Sequence, residues 1–293
     1  MKIYFMPAWG DSPEVLYETM RLQTPDNAGK WKDMEATLDI SEADYYIVQD
    51  YTDAQIPDNS KVYYFSREVP GGGRIDEIPG AKKFSYLDDS SYLYTKWMYP
   101  GKLAGVKLSY DSLMSQPPPN KSGELLCIQS DKYFLDGHRK RVNFIKQFIG
   151  DYRDEIDIYG SVRILLSYYG SGENYVQDKF QKLKDYKYCL AFDNGQYNNY
   201  FGTQFTDAIL SWAVPVYWGA PNISEFFPKD SYISFDATNF DETHRIMDII
   251  DNDDYEKRLP AIKKARDLIL TKFNIWPTIY EAITTGKVIW GNK

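Results

Sequence analysis

The chain has 293 residues, 43% hydrophobic and 26% charged, enough for one large domain or two modest ones with a substantial buried core. Its formal net charge of −8 argues against nonspecific binding to nucleic acid or to an anionic membrane. Two cysteines and two histidines give no zinc-ligand cluster of recognisable spacing. The N-terminus, MKIYFMPAW, lacks the long apolar region of a signal peptide, and no run approaches the roughly 18 apolar residues of a membrane span. A cytoplasmic protein without a transmembrane segment is expected. Aromatic residues are the compositional exception, at 16%. Their faces suit sugars and nucleobases, although a Tyr-rich core and surface is the plainer account.

Short apolar runs alternate with amphipathic stretches, which indicates an α/β fold with largely parallel sheets. Lys2–Met6, Tyr45–Val48 and Val62–Phe65 read as buried strands, with a short one at Lys83–Tyr86; Pro13–Leu22 and Trp31–Leu38 read as helices. The sequence SQPPPNKSG (115–123) breaks both patterns, because consecutive prolines enforce extended backbone. It reads as a linker, or else as a long surface loop. A second series follows: strand Leu125–Ile128, helix His138–Ile149, strand Ile156–Tyr159, helix Tyr175–Leu183 and strand Tyr188–Phe192. Helix Phe201–Ala213 and strands Val214–Tyr217 and Tyr232–Phe235 come next, then helices at Asp241–Ile250, Tyr255–Phe273 and Trp276–Thr284. Cys127 and Cys189 fall inside predicted strands and read as reduced core residues. The expected organisation is an N-terminal Rossmann-like domain (1–114), a linker (115–123) and a C-terminal Rossmann-like domain with the terminal helices (124–293). Two such domains facing one another would bind ligands beyond the carboxyl ends of their strands. Periodicity alone fits binding proteins and sugar kinases equally well.

The most specific stretch is YKYCLAFDNGQYNNYFGTQFTDAILSWAVPVYWGAPNISEFFPKDSYISF (186–235). It resembles the signature of glycosyltransferase family 10, the α-1,3/4-fucosyltransferases, at Lys187, Leu190, Phe192, Asn194, Tyr200, Pro215, Gly219, Pro221, Pro228 and Ser231. Asp193 stands for the family's usual Glu. Trp9-Gly10-Asp11, VYYFSREVP (62–70), HRKRVNFIKQF (138–148) and Gly160-Ser161-Val162-Arg163 resemble further family segments in the right order. The resemblance implies a GT-B fold, in which an N-terminal domain holds the acceptor and a C-terminal domain the donor. It implies inverting transfer, usually from GDP-fucose, to a saccharide or glycoconjugate, with no cofactor and no obligatory metal.

Inverting transfer needs a carboxylate to take the acceptor proton, and cations or helix dipoles to stabilise the leaving diphosphate. By the resemblance Glu68 is the base; read alone it is a surface Glu beside a turn, with Arg67 as partner. Arg139 and Arg141 lie near a helix start, where a guanidinium grips phosphate, and Arg141 is the better family match. Otherwise HRKR is a solvated basic face. Arg163 is a second phosphate candidate. Asn194 and Tyr200 lie between a strand end and the N-terminus of the next helix, where Gly202 relieves crowding and a nucleotide-sugar is expected. Trp9, Gly10 and Asp11 are assigned to the acceptor.

The family's T-E-K, whose Glu and Lys are expected on ribose and phosphate, is replaced by Gly202-Thr203-Gln204. Three readings follow: another donor such as a UDP-hexose, compensation by Arg163 or Lys187, or a catalytically silent carbohydrate- or nucleotide-binding relative. Asp88-Asp89 and Asp251-Asn252-Asp253-Asp254 resemble metal-binding carboxylate pairs but read as solvated turns or helix caps. Tyr217-Trp218-Gly219 either stacks on a base or sugar or packs against the following loop.

Overall fold

A computed structural model describes residues 1–8, 10–86, 108–130, 132–160 and 179–288. Two units are defined by their internal contacts: Met1–Gln116 together with Ile269–Lys293, and Pro117–Leu268. The boundary at 116/117 falls within the Pro-rich stretch.

The first unit is built on six strands, β1 (Lys2–Phe5), β2 (Lys30–Trp31), β3 (Met34–Ala36), β4 (Tyr45–Gln49), β5 (Val62–Ser66) and β6 (Lys82–Ser85). Their order is β2-β3-β1-β4-β5-β6, parallel except for the β2–β3 pair. Helix α1 (Pro13–Arg21) starts on the Ser12 cap with Pro13 in its first turn, a combination suited to a helix start. The segment expected as a helix, Trp31–Leu38, instead contains the β2–β3 hairpin. Met34 and Ala36 are buried and Glu35 between them is exposed, a period of two, and the turn places Lys32 at a φ of 54°. Pairing of Lys2 with Glu35 and of Ile3 with Ala36 fixes β3 beside β1 and overrides local helix propensity. A short helix, α2 (Tyr110–Ser115), ends just before the boundary.

The second unit carries a fully parallel five-stranded sheet in the order β11-β10-β9-β7-β8. Its strands are β7 (Gly123–Ile128), β8 (Asp157–Tyr159), β9 (Tyr186–Phe192), β10 (Val214–Trp218) and β11 (Ile233–Ser234). Its helices are α3 (Asp136–Tyr152), α4 (Lys179–Lys184), α5 (Thr203–Leu210), α6 (Glu242–Asn252) and α7 (Tyr255–Thr271), the last of which runs into the boundary. Both sheet faces are covered, as a parallel sheet requires. Leu125 and Cys127 of β7 pack with Val142, Ile145 and Phe148 of α3 and with Ile246 and Ile250 of α6. Leu126 and Ile128, on the other face, pack with Leu183 of α4 and Ala208 of α5. Cys127 and Cys189 are free and buried, and burial pushes both thiols up.

The C-terminal stretch returns to the first unit, whereas the sequence pattern groups it with the second. Helix α8 (Ile275–Thr285) begins on buried Asn274, whose side chain accepts from Trp276 N–H and donates to the carbonyls of Gln23 and Leu270. Trp276 is wholly buried, sets its ring edge-on to Phe5 at 5.5 Å and donates from Nε1 to the Met20 carbonyl at 2.9 Å. These ties span some 250 residues of sequence, which no local periodicity registers. Among the described residues no helix is long and apolar enough to cross a membrane. Replacing Trp276 by Ala removes a filled core volume and one hydrogen bond, so urea unfolding should report a loss of roughly 3–5 kcal/mol. Leu38, 46% exposed, is the control, expected to stay within about 0.5 kcal/mol on truncation to Ala.

Candidate functional site

The second unit opens a cavity of about 290 Å³ at the carboxyl ends of β7 and β9. Three chain segments line it: Ile128, Gln129, Ser130 and Lys132 after β7, Phe192, Asp193 and Asn194 after β9, and Tyr200, Gly202, Thr203 and Gln204 at the start of α5. Arg141 of α3 completes the wall. Arg141, Asn194, Tyr200, Thr203 and Gln204, all assigned from sequence, are thus brought together.

Asp193 is the buried centre of this arrangement. Its Oδ1 accepts from Gly202 N–H at 2.9 Å, its Oδ2 accepts from Tyr217 O–H, and its own N–H donates to the Trp218 carbonyl. The carboxyl therefore ties the end of β9 to the start of α5 and the end of β10. Gly202 is required for this contact, since a Cβ there would lie 2.6 Å from Asp193 Oδ1. The crowding that glycine relieves is internal to the protein. Burial raises the Asp193 pKa to about 7, against the lowering effect of its two donors. Tyr217 and Trp218, each 2% exposed, are packed and so unavailable for stacking on a ligand.

The basic run at the start of α3 divides by direction. Arg139 and Lys140 are turned to the surface, where both pair with Asp136. Arg141 is 3% exposed, and its Nη2 donates to the carbonyls of Ser130 and Lys132, at 3.1 and 3.3 Å. His138, one turn earlier, shares that inward direction. Its Nδ1 accepts from Leu135 N–H at 3.4 Å, which leaves Nε2 to donate to Asn194 Oδ1 at 3.1 Å. Burial and the Arg141 charge lower its pKa, consistent with this neutral tautomer. His138 thereby fixes the side chain of Asn194. Gly137 lets the helix reach that loop, for a Cβ would meet the Asn194 carbonyl oxygen at 2.2 Å.

Two amide atoms in this cavity, Gln129 Nε2 and Gln204 Oε1, are buried without a hydrogen-bond partner among the described residues. Gln129 as a whole is 4% exposed. An unmade hydrogen bond at a buried amide costs about 1–3 kcal/mol, so such groups concentrate where a ligand satisfies them.

Glu68 belongs to the first unit, in the turn after β5. Its N–H donates to Asp50 Oδ1 at 3.0 Å, and the neighbouring Arg67 pairs with Asp50 Oδ2 at 3.0 Å. Asp50, fully buried, thus anchors the turn and pairs with Arg67. Gly10 and Asp11 connect β1 to α1, with Gly10 at a φ of 74° and the Asp11 N–H on the Ala8 carbonyl. Trp9, Arg163 and Asp88-Asp89 lie outside the described residues.

One further expectation is corrected. Lys187 cannot serve the cavity, because it sits at the opposite end of β9 and pairs with Glu124 at 2.9 Å. In the acidic run, Asp253 accepts from Tyr188 O–H and pairs with Arg258, and Asp254 pairs with Lys257. These are structural ties at the start of α7. The sequence reading missed Asp193 as the organising group, along with Gln129, Lys132 and His138. Asp193 was visible as a family position, but its buried ties to Gly202 and Tyr217 span 9 and 24 residues.

Two α/β units on largely parallel sheets, one with a polar cavity at its strand ends, have the composition of the GT-B class. Residues 121–258 match the profile described as "Glycosyltransferase family 10 (fucosyltransferase) C-term". Over 84 residues the chain is 37% identical to the α-(1,3)-fucosyltransferase FucT of Helicobacter pylori, covering 28% of this chain and 16% of that one. Over 57 residues it is 42% identical to a fucosyltransferase-like protein of Arabidopsis thaliana, covering 19% of this chain and 11% of that one. A crystal structure of an α1,3-fucosyltransferase with GDP aligns over 93% of this chain and 81% of that one, with 22% identity and a TM-score of 0.49. Residues 121–258 are thus similar to the C-terminal region of family 10, and the chain matches only a small part of the length of these curated relatives.

The raised Asp193 pKa has a sign that melting curves test. Its folded value of about 7 lies above its ordinary 3.8, so the folded form holds the proton more tightly than the unfolded chain. The stability this group contributes is fully present below about pH 4 and is lost as pH rises through about 7. Thermal melts of the protein and of Asp193→Asn should therefore converge or cross in the direction of the variant over that window. A difference independent of pH would show that Asp193 does not titrate there.

Proposed function

We propose that this chain is an inverting glycosyltransferase that holds a nucleotide-sugar donor in the cavity of the second unit, with GDP-fucose as the donor its family favours. The observation that carries this reading is the convergence of Arg141, Asn194, Tyr200, Thr203 and Gln204 at the strand ends and the N-terminus of α5. Partial positive charge at a helix start and a guanidinium in the wall suit a diphosphate. The unpartnered amides of Gln129 and Gln204 suit the hydroxyls of a ribose or the edge of a base.

In the proposed reaction Glu68 removes the proton of an acceptor saccharide hydroxyl as that oxygen attacks the anomeric carbon. The bond from that carbon to the phosphate oxygen breaks, and the nucleoside diphosphate leaves with the electron pair. Inversion follows from attack opposite the leaving group. The Asp50 anchor fixes the Glu68 backbone, which suits a base that must meet its proton at a defined place. The acceptor is assigned to the first unit around Gly10 and Asp11.

A second reading, another donor such as a UDP-hexose, is favoured by one observation. Gln204 lines the cavity with a neutral amide where the family has a Lys. A thermal-shift panel of GDP-fucose, GDP-mannose, UDP-glucose and UDP-galactose separates the two, since the true donor stabilises the fold by mass action. Silence toward every nucleotide would defeat both readings, and binding without transfer or hydrolysis would leave a non-catalytic relative. With the donor known, Glu68→Gln should lower turnover by roughly 10² or more with an unchanged melt. Activity near that of the parent removes Glu68 from the role. Transfer is expected to persist in EDTA.

A further inference from the structure

Resting on the donor reading above, we infer that Lys132 holds the donor's diphosphate beside Arg141, which also positions it. The argument begins with charge. Among the described residues that line the cavity, Arg141 and Lys132 are cationic and Asp193 is the acidic one. Among those described residues Lys132 thus supplies half of the positive charge that can meet a multiply charged diphosphate. Gln204 offers only an amide.

Geometry separates the roles of the two cations. Arg141 is 3% exposed and spends Nη2 on the carbonyls of Ser130 and Lys132, so it clamps the loop that follows β7. The clamped residue is Lys132 itself. Its side chain is on the exposed side of the loop and lines the cavity, and among the described residues no carboxylate lies within ion-pair distance of its ammonium. The same loop presents Gln129, nine-tenths buried, with Nε2 unpartnered in the cavity. A buried donor and a solvent-side ammonium on one clamped loop, opposite the first turn of α5, make a built anion site. A flexible ammonium also adapts to a phosphate whose position shifts during bond cleavage, which a guanidinium held by two carbonyls does less readily.

Calorimetry on the full chain tests this, with GDP and UDP compared against guanosine and uridine. Lys132→Ala should weaken the nucleoside diphosphate that binds the parent by about tenfold or more and leave the nucleoside unchanged. Lys132→Arg should keep most of the affinity. Adding Gln204→Lys to Lys132→Ala should restore it, because a cation then lines the same wall. Raising the salt should weaken diphosphate binding to the parent more steeply than to Lys132→Ala. A diphosphate affinity within twofold of the parent in Lys132→Ala overturns the inference while leaving the donor reading standing. A parent that binds no nucleotide overturns both. Equal losses for the nucleoside and the diphosphate also overturn it, since they mark a change in the cavity rather than a lost charge contact.

Discussion

The candidate site depends on one buried carboxyl group. Asp193 accepts hydrogen bonds from the first amide of the turn into α5 and from the hydroxyl of Tyr217 at the end of β10. Three elements that are distant in sequence are held there by a single side chain, and two of them, β9 and α5, carry part of the cavity wall. Gly202 and Gly219 lie against the two oxygens of Asp193: a Cβ at either would fall within 2.6 Å of one.

A second layer of the same logic surrounds Asn194 and the loop after β7. His138 orients the Asn194 side chain, Gly137 admits the helix to that loop, and Arg141 pins the carbonyls of Ser130 and Lys132. All three sit in the first two turns of α3, on the face that becomes apolar farther along at Ile145 and Phe148. The helix is therefore anchored by its core positions and delivers polar groups from its first two turns. Rigid support of this kind keeps cavity groups from collapsing onto one another in the absence of ligand.

Much of the second unit was legible from sequence because its determinants are local. Strands buried on both faces read as continuous apolar runs, and each βα turn is announced by the change of period. The five residues assigned from sequence that meet in the cavity were legible for a different reason, their places in or beside segments that resemble a family's. What remained hidden was set by long-range contact. Trp31–Leu38 looked helical until β1 offered it a partner at Lys2 and Ile3. The terminal helix looked like part of the nearer unit until Asn274 and Trp276 found Gln23, Met20 and Phe5. The HRKR run could not be divided by sequence alone, since direction around a helix depends on what it packs against. Lys132 carried no motif at all.

The return of the C-terminal stretch to the first unit has a bearing on how the chain is made. The second unit is continuous, Pro117–Leu268, while the first is assembled from two segments separated by the whole of the second. During synthesis the second unit can close its sheet before Trp276 leaves the ribosome, but the first unit waits for that residue to fill its core. Until then its sheet exposes the Phe5 and Met20 surface that the tryptophan later covers. The order of completion thus runs against the order of sequence: the unit that begins first is finished after the one that follows it.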